Sequence, residues 1–109
     1  MDFFYEADVL NESYARRNMF MKATKIKMKS GCLYSEKTQE IDSIYIDGFS
    51  AFVKKGVVYD YLIAYPDSIQ VNRYPYPYLQ PVKSSNGEKY VRSEPNDTKD
   101  DNLLMLPRE

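Results

Sequence analysis

Between Thr24 and Lys29 apolar and basic residues alternate, Ile26 and Met28 against Lys25, Lys27 and Lys29. A period of two is the mark of a strand with one face buried and the other in water. The wet face of this strand is built from lysine. A polar stretch, Ser30 to Gln39, then leads into Ile41-Asp42-Ser43-Ile44-Tyr45-Ile46, followed by Asp47-Gly48. Asp-Gly after a strand predicts a tight two-residue hairpin turn, because both turn positions then need positive φ. With Asp47 and Gly48 as the turn, Ile46 faces Phe49 and Ile44 faces Ala51, so the apolar sides match across the pair. Any fold of this chain must cover the isoleucine side and leave the lysine side open.

What covers it is predicted to be a helix over Gly56 to Tyr65. Val58, Tyr61, Leu62 and Tyr65 fall on one helical face, and Pro66 supplies the stop. Short strands follow at Ile69 to Arg73, Leu79 to Lys83 and Glu88 to Arg92, the last two joined at Asn86-Gly87 so that Val82 opposes Val91. The apolar ending Leu103-Leu104-Met105-Leu106 is expected to dock on the sheet rather than float in water. Before all this, Asp8 is positioned to cap a helix over Val9 to Met21, with Leu10, Tyr14 and Met21 near one side. The expected fold is α+β: a small, mainly antiparallel sheet of about five strands, one packed helix and an N-terminal helical extension. Residues 1–22 form the extension and residues 23–109 the compact domain.

Composition narrows the chemistry. The chain has 109 residues, enough for one core, and Cys32 is its one cysteine, so that core must hold the fold without a disulfide. A reducing compartment is expected, the cytoplasm, since the acidic N-terminal stretch Asp2 to Asp8 is unlike a secretory signal and no apolar run nears the roughly 18 residues of a membrane span. There is no histidine. That removes Ser-His-Asp and Cys-His nucleophile activation and the paired-histidine zinc motif. No enzyme activity and no cofactor are expected. Eleven tyrosines and no tryptophan favour recognition surfaces instead, although tyrosine is also an ordinary strand residue.

Two segments stand out as candidate surfaces. In Tyr74-Pro75-Tyr76-Pro77-Tyr78-Leu79-Gln80-Pro81 the prolines remove N–H donors from one side of an extended chain. Tyr74, Tyr76 and Tyr78 would share one face, with Leu79 beside them, as a surface for a protein partner or as protection against edge pairing. The second is basic. Residues 14–30 carry Arg16, Arg17, Lys22, Lys25, Lys27 and Lys29 and no acid, while residues 1–13 carry four acids and no base, within an overall charge of −1. This row could contact phosphates, but the neighbouring acids cancel its field, so a solvated strand face is the leading expectation for it and nucleic acid is not expected as a partner ahead of protein. Cys32 lacks a base to activate it. Glu94, Asp97, Asp100 and Asp101 lack the glycine of a calcium loop, and no metal is expected there.

The ending Gly87-Glu88-Lys89-Tyr90-Val91-Arg92, then Asp97-Thr98, then Asp101-Asn102-Leu103-Leu104 with Leu106-Pro107, resembles a family of small bacterial and phage-encoded proteins that share a domain of unknown function. Ile46-Asp47-Gly48 and the segment Val58 to Ile63 add to the resemblance, which runs from Ala23 onward. It implies a compact, mostly antiparallel unit and brings no activity and no catalytic residues. The leading expectation is a non-enzymatic adaptor or inhibitor acting by protein contact, phage-encoded and directed at a host protein. The alternative is a weak nucleic-acid-associated protein using the lysine face. An enzyme with an acid and tyrosine site is a third reading, no membrane contact is expected, and a homo-oligomer is left open.

Overall fold

The computed structural model describes residues 21–97 and 100–109. Strand β1 spans Met21–Met28, β2 Ile41–Ile46, β3 Ala51–Lys54, helix α1 Lys55–Ala64, β4 Ile69–Val71, β5 Leu79–Lys83 and β6 Lys89–Ser93. Single 3₁₀ turns occupy Thr38–Glu40, Asp47–Phe49 and Asn102–Met105. The class is α+β, as the sequence implies. The expected helix over Val9 to Met21 lies outside the described residues except at its end, where Met21 and Lys22 are the first residues of β1.

The sheet differs from expectation. Among the described residues the six strands form a four-stranded sheet of order β3-β2-β1-β4 and a separate β5-β6 hairpin. β1-β2 and β2-β3 are antiparallel, whereas β4 runs parallel to β1, pairing Met21 with Ile69 and Ala23 with Val71. Helix α1 causes this: it carries the chain from β3 back to the far edge, which delivers β4 in the same direction as β3 and β1. The segment before β5 pairs only briefly with β4, since Pro77, across from Val71, has no N–H to return. What joins them is the bond from Val71 N to Pro77 O (2.8 Å) and a bridge between Gln70 and Tyr78.

Both hairpin registers also shift. Ile46 pairs with Ala51 and Ile44 with Val53, two residues beyond the expected partners. The loop has four residues, and positive φ falls on Ser50 (51°) rather than on Gly48. Gly48 serves a close approach instead: a Cβ there would stand 2.2 Å from Met21 Sδ. A shift of two keeps every side chain on its face, so the apolar pattern cannot distinguish the two registers. In the second hairpin Val82 pairs with Tyr90, and Pro81 takes Val91. Ser84 N donates to Glu88 O (2.9 Å), Gly87 N to Ser84 O (2.9 Å), and Gly87 has φ +88°, which is a three-residue loop closed by a left-handed glycine.

The core lies between the inner face of the sheet, α1 and the β5-β6 hairpin. Ile26, Ile41, Ile44 and Ile46 meet Val58 and Leu62 of α1 and Leu79 and Val91 of the hairpin, all buried. Leu103 and Leu106 are buried with them, so the apolar ending does dock. Backbone bonds from Ile26 N to Pro107 O (2.9 Å) and from Glu109 N to Ile26 O (3.0 Å) fasten the ending to β1. No helix among the described residues is long and apolar enough to cross a membrane.

Candidate lysine and aromatic sheet face

Among the described residues, helix and hairpin cover one face of the four-stranded sheet and no element covers the other, where Lys25, Tyr45 and Phe52 are half-buried. A bulge between Ala23 and Lys25 resets the alternation of β1, so Lys22, Lys25 and Lys27 all point outward. Lys25 pairs with Tyr45 and Tyr45 with Phe52, which places two aromatic rings beside the lysines. The rings lie 5.3 Å apart, edge to face at 80°. The ammonium of Lys25 sits 5.1 Å from the Tyr45 centroid, and that of Lys27 sits 4.8 Å from the Phe52 centroid. Lys54 follows on β3, its Nζ 2.8 Å from Asp42 Oδ2, and this contact holds the Asp42 carboxyl below its ordinary range.

The tyrosine segment departs from expectation. It is not extended: Tyr76 N donates to Arg73 O (2.7 Å) across a turn with a cis Tyr74-Pro75 bond, and Tyr76 has φ 62°. The even row of Tyr74, Tyr76 and Tyr78 is therefore broken. Leu79, expected on the surface, is 1% exposed and belongs to the core. Tyr78 is half-buried, and its N–H donates to Glu94 Oε1 (3.0 Å). Tyr74 and Tyr76 remain outside, 78% and 46% exposed, with rings 6.1 Å apart. The turn carries Tyr76 to the lysine face, where Lys22 Nζ lies 5.8 Å from its centroid. Two segments that the sequence presents as rival surfaces thus meet on one.

Other candidate residues fall elsewhere. Arg16 and Arg17 lie outside the described residues. Lys29 leaves the row: it lies one residue past the end of β1 and pairs with Glu88 Oε2 at 3.3 Å. Glu88 also takes Lys55 at 2.9 Å, so both lysines depress its carboxyl, and the hydrogen bond to Glu88 raises Lys29. The Cys32 thiol donates to Glu40 Oε2 (3.4 Å), and that bond, with burial, raises its pKa and makes it a poorer nucleophile. Asp101 is a structural acid, accepting from Leu103 N (2.9 Å) and Ser93 Oγ (2.7 Å). Buried Asn102 donates through Nδ2 to Tyr74 O (3.0 Å), which ties the tyrosine turn to the apolar ending.

Sequence reasoning missed Tyr45, Phe52 and Lys54 as part of this face. Tyr45 was legible, since it alternates with Ile44 and Ile46; Phe52 and Lys54 needed the corrected hairpin register. Lys25 pairs with Glu109 (3.1 Å), whereas the ammonium groups of Lys22 and Lys27 have no carboxylate partner among the described residues, the Lys22 N–H alone donating to Asp47 Oδ1 (2.8 Å). Chemically, the face offers cations and flat aromatic rings side by side.

No curated protein and no solved structure is similar to the chain at a significant level. A family model described as "Protein of unknown function (DUF3892)" matches residues 22–107, from the start of the lysine row to the proline that binds β1. The chain belongs to this family.

Proposed function

We propose that the protein is a non-enzymatic, nucleic-acid-associated protein of the cytoplasm that holds phosphates on the open sheet face. The observation that carries this reading is the convergence of Lys22, Lys25 and Lys27 with half-buried Tyr45 and Phe52 and exposed Tyr76 on the sheet face that no described element covers. An overall charge of −1 does not oppose it. At about 0.1 M salt charges more than about 10 Å away are largely screened, so a ligand feels the local lysines. The bacterial and phage setting implied by the resemblance fits a small binding protein of this kind. Four lysines, Lys54 included, predict that the affinity for a single strand falls with salt at a log-log slope of about −3. Fluorescence anisotropy of a labelled oligonucleotide across a salt series measures that slope, and affinity indifferent to salt would sink the reading.

A second reading, an adaptor or inhibitor acting by protein contact, rests on a different surface. Phe49, Tyr61 and Tyr65 form a chain of rings with centroid spacings of 5.4 Å and 4.9 Å, and Val57 and Ile63 are exposed on the same helix. Clustered aromatic area of this kind suits a protein interface. Val57→Asp with Tyr65→Ser should then abolish capture of a host partner while Lys27→Glu leaves it unchanged; the opposite pattern would exclude this reading.

A further inference from the structure

Phosphate contact alone accounts for the lysines and leaves the rings unexplained. Tyr45 and Phe52 stand at 80° to each other, so neither stacks on the other, and Tyr76 is similarly placed against Tyr74 at 83°. Flat faces of all three rings adjoin an ammonium group: Lys25 at Tyr45, Lys27 at Phe52, Lys22 at Tyr76. A single-stranded nucleic acid repeats the complementary pair, one flat base and one phosphate in every unit. In a duplex the base faces are covered by their neighbours, and rings on a protein surface gain nothing from them. Tyr45 and Phe52 are half-buried and Tyr76 is exposed, and cation–π contacts on partly exposed rings are modest, so a phosphate can draw each ammonium aside as a base takes the open part of the ring.

We infer that the face is a stacking platform for single strands, with bases on Tyr45, Phe52 and Tyr76 and phosphates on Lys25, Lys27 and Lys22. The inference rests on the nucleic-acid reading and adds to it three ligand-binding aromatic residues and a preference for unpaired strands. Stacking tolerates every base, so the platform reads strandedness rather than sequence.

The test is anisotropy with three probes of about twelve nucleotides: oligothymidylate, its duplex with oligoadenylate, and an abasic strand with the same phosphodiester backbone. Oligothymidylate should bind more tightly than the other two. Tyr45→Leu and Phe52→Leu should each weaken it about tenfold, with abasic binding unchanged; Tyr34→Leu, at an exposed ring in the loop between β1 and β2, should have no effect. Should the sheet variants fail to fold, Tyr76→Leu on the exposed turn reads the same loss. Equal affinity for abasic and thymidine strands would overturn the stacking platform and leave the phosphate reading standing. No binding of any probe would overturn both.

Discussion

A methyl group at position 48 would meet Met21 Sδ at 2.2 Å and Cγ at 2.7 Å, inside the turn that starts the β2-β3 hairpin. Gly48→Ala must push aside a buried methionine, and overpacking of this size costs about 1–3 kcal/mol; urea denaturation should record the lower midpoint with an unchanged slope. Asn102 is the polar counterpart. Its buried amide donates to Tyr74 O and accepts from Asn96 Nδ2 (2.9 Å). Asn102→Leu leaves those groups without it, a loss of about 1–3 kcal/mol by the same measurement. Residue identities announced some of this. Asp-Gly and Asn-Gly marked both turns correctly, yet in neither did the pair form the two-residue loop, because a glycine can answer a close approach or a left-handed φ and the sequence does not say which. Leu79 was misread for a related reason: next to three prolines it looked like part of a blocked edge, and its burial follows from the turn at Arg73 to Tyr76, which rests on long-range contacts.

At the scale of elements, three pieces meet at Glu88. Its carboxylate joins Lys29 after β1, Lys55 at the start of α1 and the loop before β6. Hydrogen bonds to Lys55 and Lys29 lower its pKa below the ordinary 4.5. A carboxyl depressed in the fold stabilises fully above its unfolded pKa, and that contribution is lost as pH falls through the folded value. Glu40, lowered by Ser35 and Cys32, and Asp42, lowered by Lys54, act in the same sense. With no histidine to titrate, thermal stability should be flat between about pH 6 and 8 and fall below about pH 4.5. Glu88→Gln should flatten part of that acid limb; a limb unchanged by the substitution would remove the clamp from the account. The apolar ending is the other fastening. Leu103→Ala deletes a fully buried side chain and should cost about 2–5 kcal/mol. Periodicity made β1, β2, α1 and this ending legible, because each buries one side. Direction was not: that β4 would run parallel to β1 depends on where α1 lands, which no local pattern encodes.

For the molecule as a whole, the decisive arrangement is that one sheet face carries the core and the other carries charge. Buried isoleucines hold β1 and β2 in register, and the same alternation lifts Lys25, Lys27 and Tyr45 outward. The lysine row was visible in the sequence as a row. Of its aromatic company only Tyr45 was, since Phe52 arrives by hairpin register and Tyr76 by a turn anchored through Asn102 to the apolar ending. The measurement that bears most directly on the face is the affinity of oligothymidylate for Lys22→Glu/Lys27→Glu beside Lys89→Glu, whose native lysine pairs with Asp60 on the hairpin side at 2.8 Å. Each Lys→Glu substitution lowers the net charge by the same two units from −1, so the two variants are compared per substituted lysine and position is what differs. The account predicts binding lost to at least tenfold in the double variant and nearly unchanged in Lys89→Glu; equal weakening per substituted lysine, or none in either, would contradict it.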